Sequence, residues 1–410
     1  MIARMERKME KPRILFVSWH FYMDVSNGAS ISARELLRAL HYRGWNVRTF
    51  CGPAVDNSQV SNVCDALTAH GIVARERVRD VGVAPFSIDS FQDVDGFQSF
   101  VYRPANCEPI PQRLSGEVFM RFANRILKSF RPGIVVTYGG YWLAPKILST
   151  IRRSGAKSVF LLQNFAYKEK SIFDHVDLTI VPSEYSARVY RERLGIESTV
   201  LPPIIRSDEF EQLRTSDKSD QRYVLYVNPS LNKGVFLFAK IARDLAGVRP
   251  DIPILVVEGG ATSRDLLATS FDARTAKNVY VMRNAPGSCS FYRRAKLTLV
   301  PSFFDESFGR VAAESMLCGI PIIASDRGAL PETVGKAGSL ISIPRRYTPH
   351  TREVPLSEEA KPWVDEIVKL WDNADYYALR REQALHRAFA WNYSKVVERY
   401  EQVLRKLLSV

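Results

Sequence analysis

The chain has 410 residues, of which 46% are hydrophobic and 25% charged, and its net charge is +13. This length predicts two domains with separate cores, and the composition is typical of a globular protein in water. No apolar run is long enough to span a bilayer, and the charged start MIARMERKMEKPR has no apolar signal core. We therefore expect a frayed N-terminus and neither a membrane span nor a secretory leader.

The cysteines indicate the redox compartment, and the charge distribution indicates the kind of partner. The five cysteines are scattered without any Cys-x-x-Cys pair, which predicts reduced thiols in a cytoplasmic protein and no structural zinc. Residues 101–200 contain 15 Lys and Arg against 8 Asp and Glu, a local charge of +7. This bias suits a polyanionic partner, which could be a phosphorylated acceptor, an anionic membrane at the inner face of the cell, or a nucleic acid. A solvated basic surface explains the same bias equally well.

Apolar strand patterns alternate with helical patterns along the first half of the chain. The helical pattern ISARELLRALHYRG follows the first apolar run, and amphipathic segments separate the later runs. The runs are RILFVSWHF (13–21), GIVVTYGG (133–140), SVFLLQN (158–164) and LTIVPS (178–183). Continuous apolar runs separated by helices predict parallel strands covered on both faces, in a doubly wound α/β domain.

A polar stretch that begins with two prolines, residues 202–221, interrupts this alternation and predicts a linker. The alternation then starts again in the second half. Its apolar runs are RYVLYVN (222–228), IPILVVEGG (252–260), NVYVMRN (278–284), LTLVPSFF (297–304) and PIIASD (321–326). We therefore predict an α/β fold with a first domain at 1–205, a second at 206–390 and a terminal helix at 391–410.

The strand ends of the second half carry residues suited to a phosphorylated ligand. Lys233 lies close to the start of a predicted helix, where free backbone amides and a cation favour phosphate. Gly259 and Gly260 follow the next strand and allow close approach of the backbone to a ligand. Gly309 follows another strand and would let backbone N–H groups point at a diphosphate.

Two glutamates flank the strand-to-helix turn that contains Gly309. Glu306 precedes the predicted helix, whereas Glu314 lies inside it, so the two carboxylates need not share one contact. A carboxylate accepts hydrogen bonds from two vicinal hydroxyls, which suits Glu314 to a ribose diol and Glu306 to a sugar. Surface glutamates near a helix N-terminus are the plainer explanation. That explanation does not account for Lys233, or for Gly259 and Gly260, at the turns after the neighbouring strands.

The second half resembles the retaining GT-B glycosyltransferases of family 4. The resemblance rests on NPSLNKG, VVEGG, the block YRRAKLTLVPSFFDESFGRVAAESMLCGIPIIASDRGALPETVG and the terminal WNYSKVVERYEQVL. It implies two facing Rossmann-like domains, with the nucleotide sugar bound by the second domain and the acceptor by the first. It also implies that the last helix crosses back to the first domain.

The family resemblance implies roles for individual residues. Lys233 would face the diphosphate, Glu306 the transferred sugar and Glu314 the ribose, with Ser307, Phe308 and Gly309 near the sugar and phosphates. The resemblance further implies that no metal or other cofactor is used, and that the anomeric configuration is retained by front-face attack. In place of an arginine found in many relatives this chain has Asn228 or Pro229, and the strand that often ends near a histidine ends here in Gln163 and Asn164.

The first domain offers fewer candidates. Asn27 and Gly28 follow the first strand and suit either close contact with donor or acceptor, or a simple tight turn. Tyr141 follows another strand and could stack on a sugar, although ordinary packing explains it almost as well. His20 is more typical of a packed strand end, and Glu332 suits a helix start as well as a donor contact.

The segment EVFMRFANRILKSFR (117–131) has a basic face and an apolar face. A surface helix whose apolar side faces the core is the commoner source of this pattern, and a helix lying on anionic lipid is the alternative.

Three functions remain open at this stage. The first is a glycosyltransferase that moves a sugar from a nucleoside-diphosphate sugar to a glycan, lipid-linked or other anionic acceptor. The second is a nucleotide-sugar epimerase of the same fold, which the paired glutamates disfavour. The third is a nucleic-acid-binding protein, which lacks any helix-turn-helix or zinc signature here. A glycosyltransferase with a nucleic-acid acceptor remains a variant of the first.

Overall fold

The structure is a computed structural model that describes most of the chain. The described residues are 11–25, 27–56, 62–82, 85–106, 108–206, 210, 212–214, 220–273, 275–283 and 289–409. Most of the predicted frayed N-terminus and parts of the predicted linker lie outside these ranges.

The described part of the first half forms a nine-stranded sheet in the order β3-β4-β5-β2-β1-β6-β7-β8-β9. Its strands are β1 (Arg13–His20), β2 (Asn46–Ala54), β3 (Arg75–Asp80), β4 (Phe86–Gln92), β5 (Gln98–Pro104), β6 (Ile134–Thr137), β7 (Lys157–Leu161), β8 (Leu178–Val181) and β9 (Thr199–Val200). The β3/β4 and β4/β5 pairs are antiparallel, and the other pairs are parallel.

The described part of the second half forms a six-stranded parallel sheet in the order β12-β11-β10-β13-β14-β15. Its strands are β10 (Tyr223–Val227), β11 (Ile254–Val257), β12 (Val279–Met282), β13 (Ala295–Val300), β14 (Ile322–Ser325) and β15 (Ser339–Ile341). With β10 and β13 at its centre, the sheet brings the loops after these strands together at one edge.

Helices separate the strands in both halves. Those of the first half are α1 (Gly28–Tyr42), α2 (Val63–Ala69), α3 (Arg113–Phe130), α4 (Leu143–Ser154) and α5 (Glu184–Leu194). Those of the second half are α6 (Val235–Val248), α7 (Cys289–Tyr292), α8 (Arg310–Leu317), α9 (Leu330–Val334), α10 (Ser357–Asp372), α11 (Ala374–Ala388) and α12 (Tyr393–Leu408).

The predicted doubly wound α/β fold is confirmed. Parallel strands such as β6 and β11 are buried along their whole length, as continuous apolar runs between two helix layers should be. The strands end earlier than the apolar runs, because the last residues of each run already turn into the loop at the sheet edge. The antiparallel β3–β5 extension was not predicted, since β3 is a polar, largely exposed edge strand.

Helices α3 and α12 both pack their apolar faces into the protein. In α3 the buried residues Phe119 and Phe130 face the core, whereas Arg121, Arg125 and Lys128 are exposed, which agrees with the core interpretation of this helix. Helix α12 packs its buried Val397, Tyr400 and Leu404 into the core that contains β1 and α1. The numerical domain boundaries stay a prediction.

Candidate active site

A cavity of 580 Å³ lies between the two sheets and is lined by residues from both halves of the chain. It brings together most of the residues singled out from the sequence. On the second-domain side these are Asn228, Lys233, Gly259, Glu306, Ser307, Phe308, Gly309 and Glu314, and on the first-domain side Asn27, Gly28, Gln163 and Asn164. Gly260 and Tyr141 are not part of its lining.

Lys233 and Glu306 form an ion pair on one wall of the cavity. The Lys233 ammonium donates to Glu306 Oε1 at 2.6 Å, and the Ser302 hydroxyl donates to the same oxygen at 2.7 Å. Glu306 is 7% exposed. Among the described residues no donor bonds to Glu306 Oε2, so that oxygen is available to a sugar hydroxyl.

Two glycines allow the backbone to reach this geometry. Gly309 caps α8 at its N-terminus with φ 91°, and a Cβ there would lie 2.7 Å from Leu330 Cδ2. Gly328, with φ 60°, packs directly on the backbone of Glu306, whose carbonyl accepts from Ala329 N at 2.7 Å. The Gly328 corner therefore fixes the position of Glu306 and explains why the two motifs occur together in the sequence.

Glu314 is engaged on both of its carboxylate oxygens. Tyr292 donates its hydroxyl to Oε2 at 3.1 Å, and Arg310 donates to Oε1 through Nε at 3.1 Å and through a terminal nitrogen at 2.8 Å. Burial and the Glu314 charge raise the pKa of Tyr292 well above its usual value, so the phenol is a donor at neutral pH. Sequence reasoning did not identify Arg310, although its i,i+4 spacing to Glu314 is a recognisable ion-pair signal.

The described side chains do not include a cluster of three or more His, Cys, Asp or Glu that could hold a metal ion. No helix within the described ranges combines the length and the apolar character needed to cross a bilayer.

Comparisons with known proteins relate the second half of the chain to one family. Residues 208–346, which include both glutamates and Lys233, match the model of the family described as glycosyl transferases group 1. This part of the chain is therefore similar to a group 1 glycosyltransferase domain. The D-inositol 3-phosphate glycosyltransferase of Arthrobacter sp. is 28% identical over 233 residues, which are 53% of this chain and 48% of that protein. The match thus spans about half the length of this curated relative.

Solved structures agree on the fold of the whole chain. A sucrose-phosphate synthase from Thermosynechococcus elongatus superposes with a TM-score of 0.68 at 17% identity, covering 97% of this chain and 100% of that one. An Anabaena protein crystallised with UDP-glucose gives a TM-score of 0.63 at 14% identity, covering 96% and 99%. The predicted GT-B fold, with two Rossmann-like domains, is thereby confirmed.

Within the second domain, Asn228 shapes the turn where the family resemblance predicts a cation. Its φ is 60°, and its side-chain oxygen accepts from Ala261 N at 3.0 Å. The neighbouring Gly259 lies against this side chain, and a Cβ on Gly260 would lie 3.3 Å from the backbone carbonyl oxygen of Asp56 in the first domain. The turn formed by Gly259 and Gly260 therefore lies against the first domain.

The first-domain candidates are held mainly by their own structural contacts. Asn27 caps α1 by accepting from Ala29 N and Ser30 N at 2.8 and 3.1 Å. The side-chain oxygen of Asn164 accepts from Ala166 N at 3.0 Å. Tyr141 stacks on His20 with ring centroids 5.2 Å apart, consistent with the packed interpretation of both residues.

Polar contacts join the second domain to the first domain beside Glu306. The Ser307 hydroxyl donates to Gln163 O at 2.6 Å, and Ser307 O accepts from the hydroxyls of Ser183 and Ser186 at 2.6 and 3.1 Å.

Glu332 makes a second contact between the domains. Its two carboxylate oxygens accept from the backbone N–H groups of Glu184 and Tyr185, at 3.0 and 2.9 Å. A carboxylate at the N-terminus of α5 is favourable because it satisfies free N–H groups and the helix dipole. The sequence left a structural role and a donor contact open for Glu332, and the structure shows a structural contact. No sequence pattern indicates that the partner of Glu332 is α5, because this pairing depends on how the domains face each other.

Proposed function

We propose that this chain is a retaining, metal-independent glycosyltransferase that moves a sugar from a nucleoside-diphosphate sugar to an acceptor hydroxyl. The observation that carries the proposal is one interdomain cavity lined by the Lys233–Glu306 pair, the N-terminus of α8 and Glu314. The curated relative is named a glycosyltransferase, and the Anabaena neighbour was crystallised with UDP-glucose. Both support a sugar-nucleotide donor for this chain.

Each part of a donor has a suitable partner in this cavity. Lys233 and the N–H groups at the start of α8 would bind the diphosphate, because a cation and free helix amides both favour phosphate. Glu306 would accept hydrogen bonds from hydroxyls of the transferred sugar. Glu314 would bind the ribose diol, and Ser307, Phe308 and Gly309 would lie along the diphosphate and sugar.

The proposed reaction keeps the anomeric configuration. The bond between the anomeric carbon and the diphosphate oxygen breaks, and the acceptor oxygen bonds to that carbon from the same face. The departing diphosphate takes the proton of the acceptor hydroxyl. The Lys233 charge and the α8 dipole stabilise the negative charge that develops on the leaving group. The acceptor would be a glycan, a lipid-linked molecule or another anionic molecule, bound from the first-domain side.

The donor is tested by calorimetry with UDP, GDP, ADP, TDP and CMP and their sugars. We expect one nucleotide to bind selectively and Glu314→Gln to weaken it about tenfold, the usual size of a lost charged hydrogen bond. Glu108→Gln is the matched control, because Glu108 is also 7% exposed but does not line the cavity and accepts from the Ser115 hydroxyl. Absence of binding to every nucleotide would contradict the proposed function.

Metal independence and stereochemistry are tested on the turnover reaction. We expect full activity in excess EDTA and a product whose anomeric configuration, read from NMR coupling constants, equals that of the donor. Loss of activity with EDTA that a divalent metal restores would contradict the metal-free mechanism, and an inverted product would contradict retention. Conversion of the donor to its epimer without acceptor would favour the epimerase alternative.

A further inference from the structure

Arg310 lies where the two domains face each other. It is the first residue of α8 and is bound to Glu314, yet one of its terminal nitrogens is 3.4 Å from the Ser32 hydroxyl on α1. A Cβ on Gly28, also in α1, would lie 3.8 Å from Arg310 Cδ. The Arg310 side chain is 16% exposed and lines the cavity. It can therefore respond to a ligand from within the cleft.

On α1, three residues after Ser32, one oxygen of a buried carboxylate has no hydrogen-bond donor in the described part of the chain. Glu35 is 6% exposed and lines the same cavity, and its Oε2 has no partner among the described residues. Arg34 approaches the other oxygen only to 3.8 Å, which is too long for a hydrogen bond. Such an oxygen is costly to leave unpaired, which suggests that a donor reaches it in another state of the protein.

The charge of Arg310 already acts on Glu35. Burial raises the pKa of Glu35, and the positive charges of Arg34, Arg38, Arg310 and Arg206 act in the opposite direction. Of these cations, Arg38 already pairs with Asp95 at 2.8 Å. Arg310 is thus bonded to Glu314 in its own domain, and its charge also acts on Glu35 in the other.

The ion pair between Arg310 and Glu314 competes with binding of the donor ribose to Glu314. A ribose diol that donates both of its hydroxyls to Glu314 needs two of the roughly four acceptor sites of the carboxylate. Two of these sites are taken by Arg310 on Oε1 and one by Tyr292 on Oε2. The released guanidinium would remain beside the N-terminus of α8, where the diphosphate is expected. Its planar arrangement of five N–H donors can bond two acceptors at once.

We propose that Arg310 exchanges partners when the donor binds: it leaves Glu314 to the ribose, binds the donor diphosphate, and is held there by Glu35. This inference rests on the proposed function. Arg310 then contacts the substrate directly, whereas Glu35 acts as a positioning residue. Because Glu35 belongs to the first domain, the exchange links donor binding in one domain to contact with the other.

The test compares two ligands, the nucleoside diphosphate that the calorimetric panel selects and its nucleoside without phosphate. In Arg310→Ala, Glu314 has no competing partner, so we expect the nucleoside to bind as well as in the wild type or more tightly. The same variant should bind the nucleoside diphosphate about tenfold more weakly, because a charged hydrogen bond to phosphate is lost. Arg310→Lys should recover part of the diphosphate affinity.

Glu35→Gln should weaken binding of the nucleoside diphosphate by a smaller factor than Arg310→Ala does, and should leave binding of the nucleoside unchanged. It should also raise the donor KM more than it lowers kcat. Arg405→Ala is the matched control, because Arg405 forms an i,i+4 ion pair with Glu401 on α12. It should change neither affinity.

The outcomes separate this inference from the proposed function. If the wild type binds the diphosphate but Arg310→Ala weakens both ligands by the same factor, Arg310 only orients Glu314, and the exchange is wrong while the proposed function stands. An unchanged diphosphate affinity in Arg310→Ala would also overturn the exchange. If the wild type binds neither ligand, the proposed function itself fails.

Discussion

Replacing Glu306 with glutamine is expected to lower kcat at least a hundredfold while leaving the fold intact. The amide keeps the volume of the side chain and can still accept from Lys233 and Ser302, which now bond to Glu306 Oε1 at 2.6 and 2.7 Å. It loses the negative charge, and one end of the amide becomes a donor. Removal of one preorganised electrostatic group from an active site typically has an effect of this size.

The measurement is steady-state kinetics with saturating donor, accompanied by thermal unfolding of each variant. Glu108→Gln again provides the control, because it neutralises an equally buried carboxylate away from the cavity. We expect Glu108→Gln to retain kcat even if its melting temperature falls. Wild-type kcat in a folded Glu306→Gln variant would show that this carboxylate does not act on the transferred sugar, and the assignment of Glu306 would then be wrong.

The sequence was sufficient to predict the fold and most of the second-domain wall of the cavity. Hydrophobic runs between helical patterns identified the parallel strands, and ligand-binding residues of such sheets follow the strand ends. Lys233, Glu306 and Glu314 were found in this way, and all three line the cavity. These positions are predictable because each one depends only on the strand and helix next to it.

The missed features depend on contacts between segments far apart in the chain. The pairing of Glu332 with α5 joins residues about 150 positions apart, and the approach of Arg310 to Ser32 spans 278 positions. No periodicity in the sequence reports how two domains face each other. The stacking of Tyr141 on His20 is likewise a contact between distant segments, and it agrees with the packing explanation that the sequence left open beside a sugar platform.

The contacts around Ser307 explain why donor binding and domain contact should influence each other. Ser307 follows Glu306 directly, and both its hydroxyl and its carbonyl bond to the first domain. A movement of the first domain would therefore act on the backbone next to the proposed sugar-binding carboxylate. The exchange of Arg310 would act on the same interface from the other side of α8.

Replacing Gly328 with alanine is expected to destabilise the protein by about 4 kcal/mol or more and to abolish most activity. A Cβ at this position would lie 2.3 Å from Glu306 O and 2.4 Å from Glu306 N. These are backbone atoms, which cannot rotate away as a flexible side chain could. The positive φ of 60° adds about 1–2 kcal/mol of strain for any residue with a Cβ.

Gly195→Ala separates the clash from the backbone strain. Gly195 also has a φ of 60°, but a Cβ there would meet only Lys170 Nζ, at an ordinary 3.7 Å. Urea unfolding should therefore give a loss of about 1–2 kcal/mol for Gly195→Ala and at least twice that for Gly328→Ala. Equal losses in the two variants would mean that the loop bearing Gly328 can move away from Glu306 at little cost.

Activity gives the second readout of the Gly328 variant. If the added methyl group displaces Glu306 by about 1 Å, kcat should fall roughly a hundredfold even under conditions where the variant is folded. Gly195→Ala should keep its kcat, because Gly195 ends α5 on the side away from the cavity lining. A folded Gly328→Ala variant with normal kcat would show that the packing of this corner stabilises the domain without positioning the carboxylate.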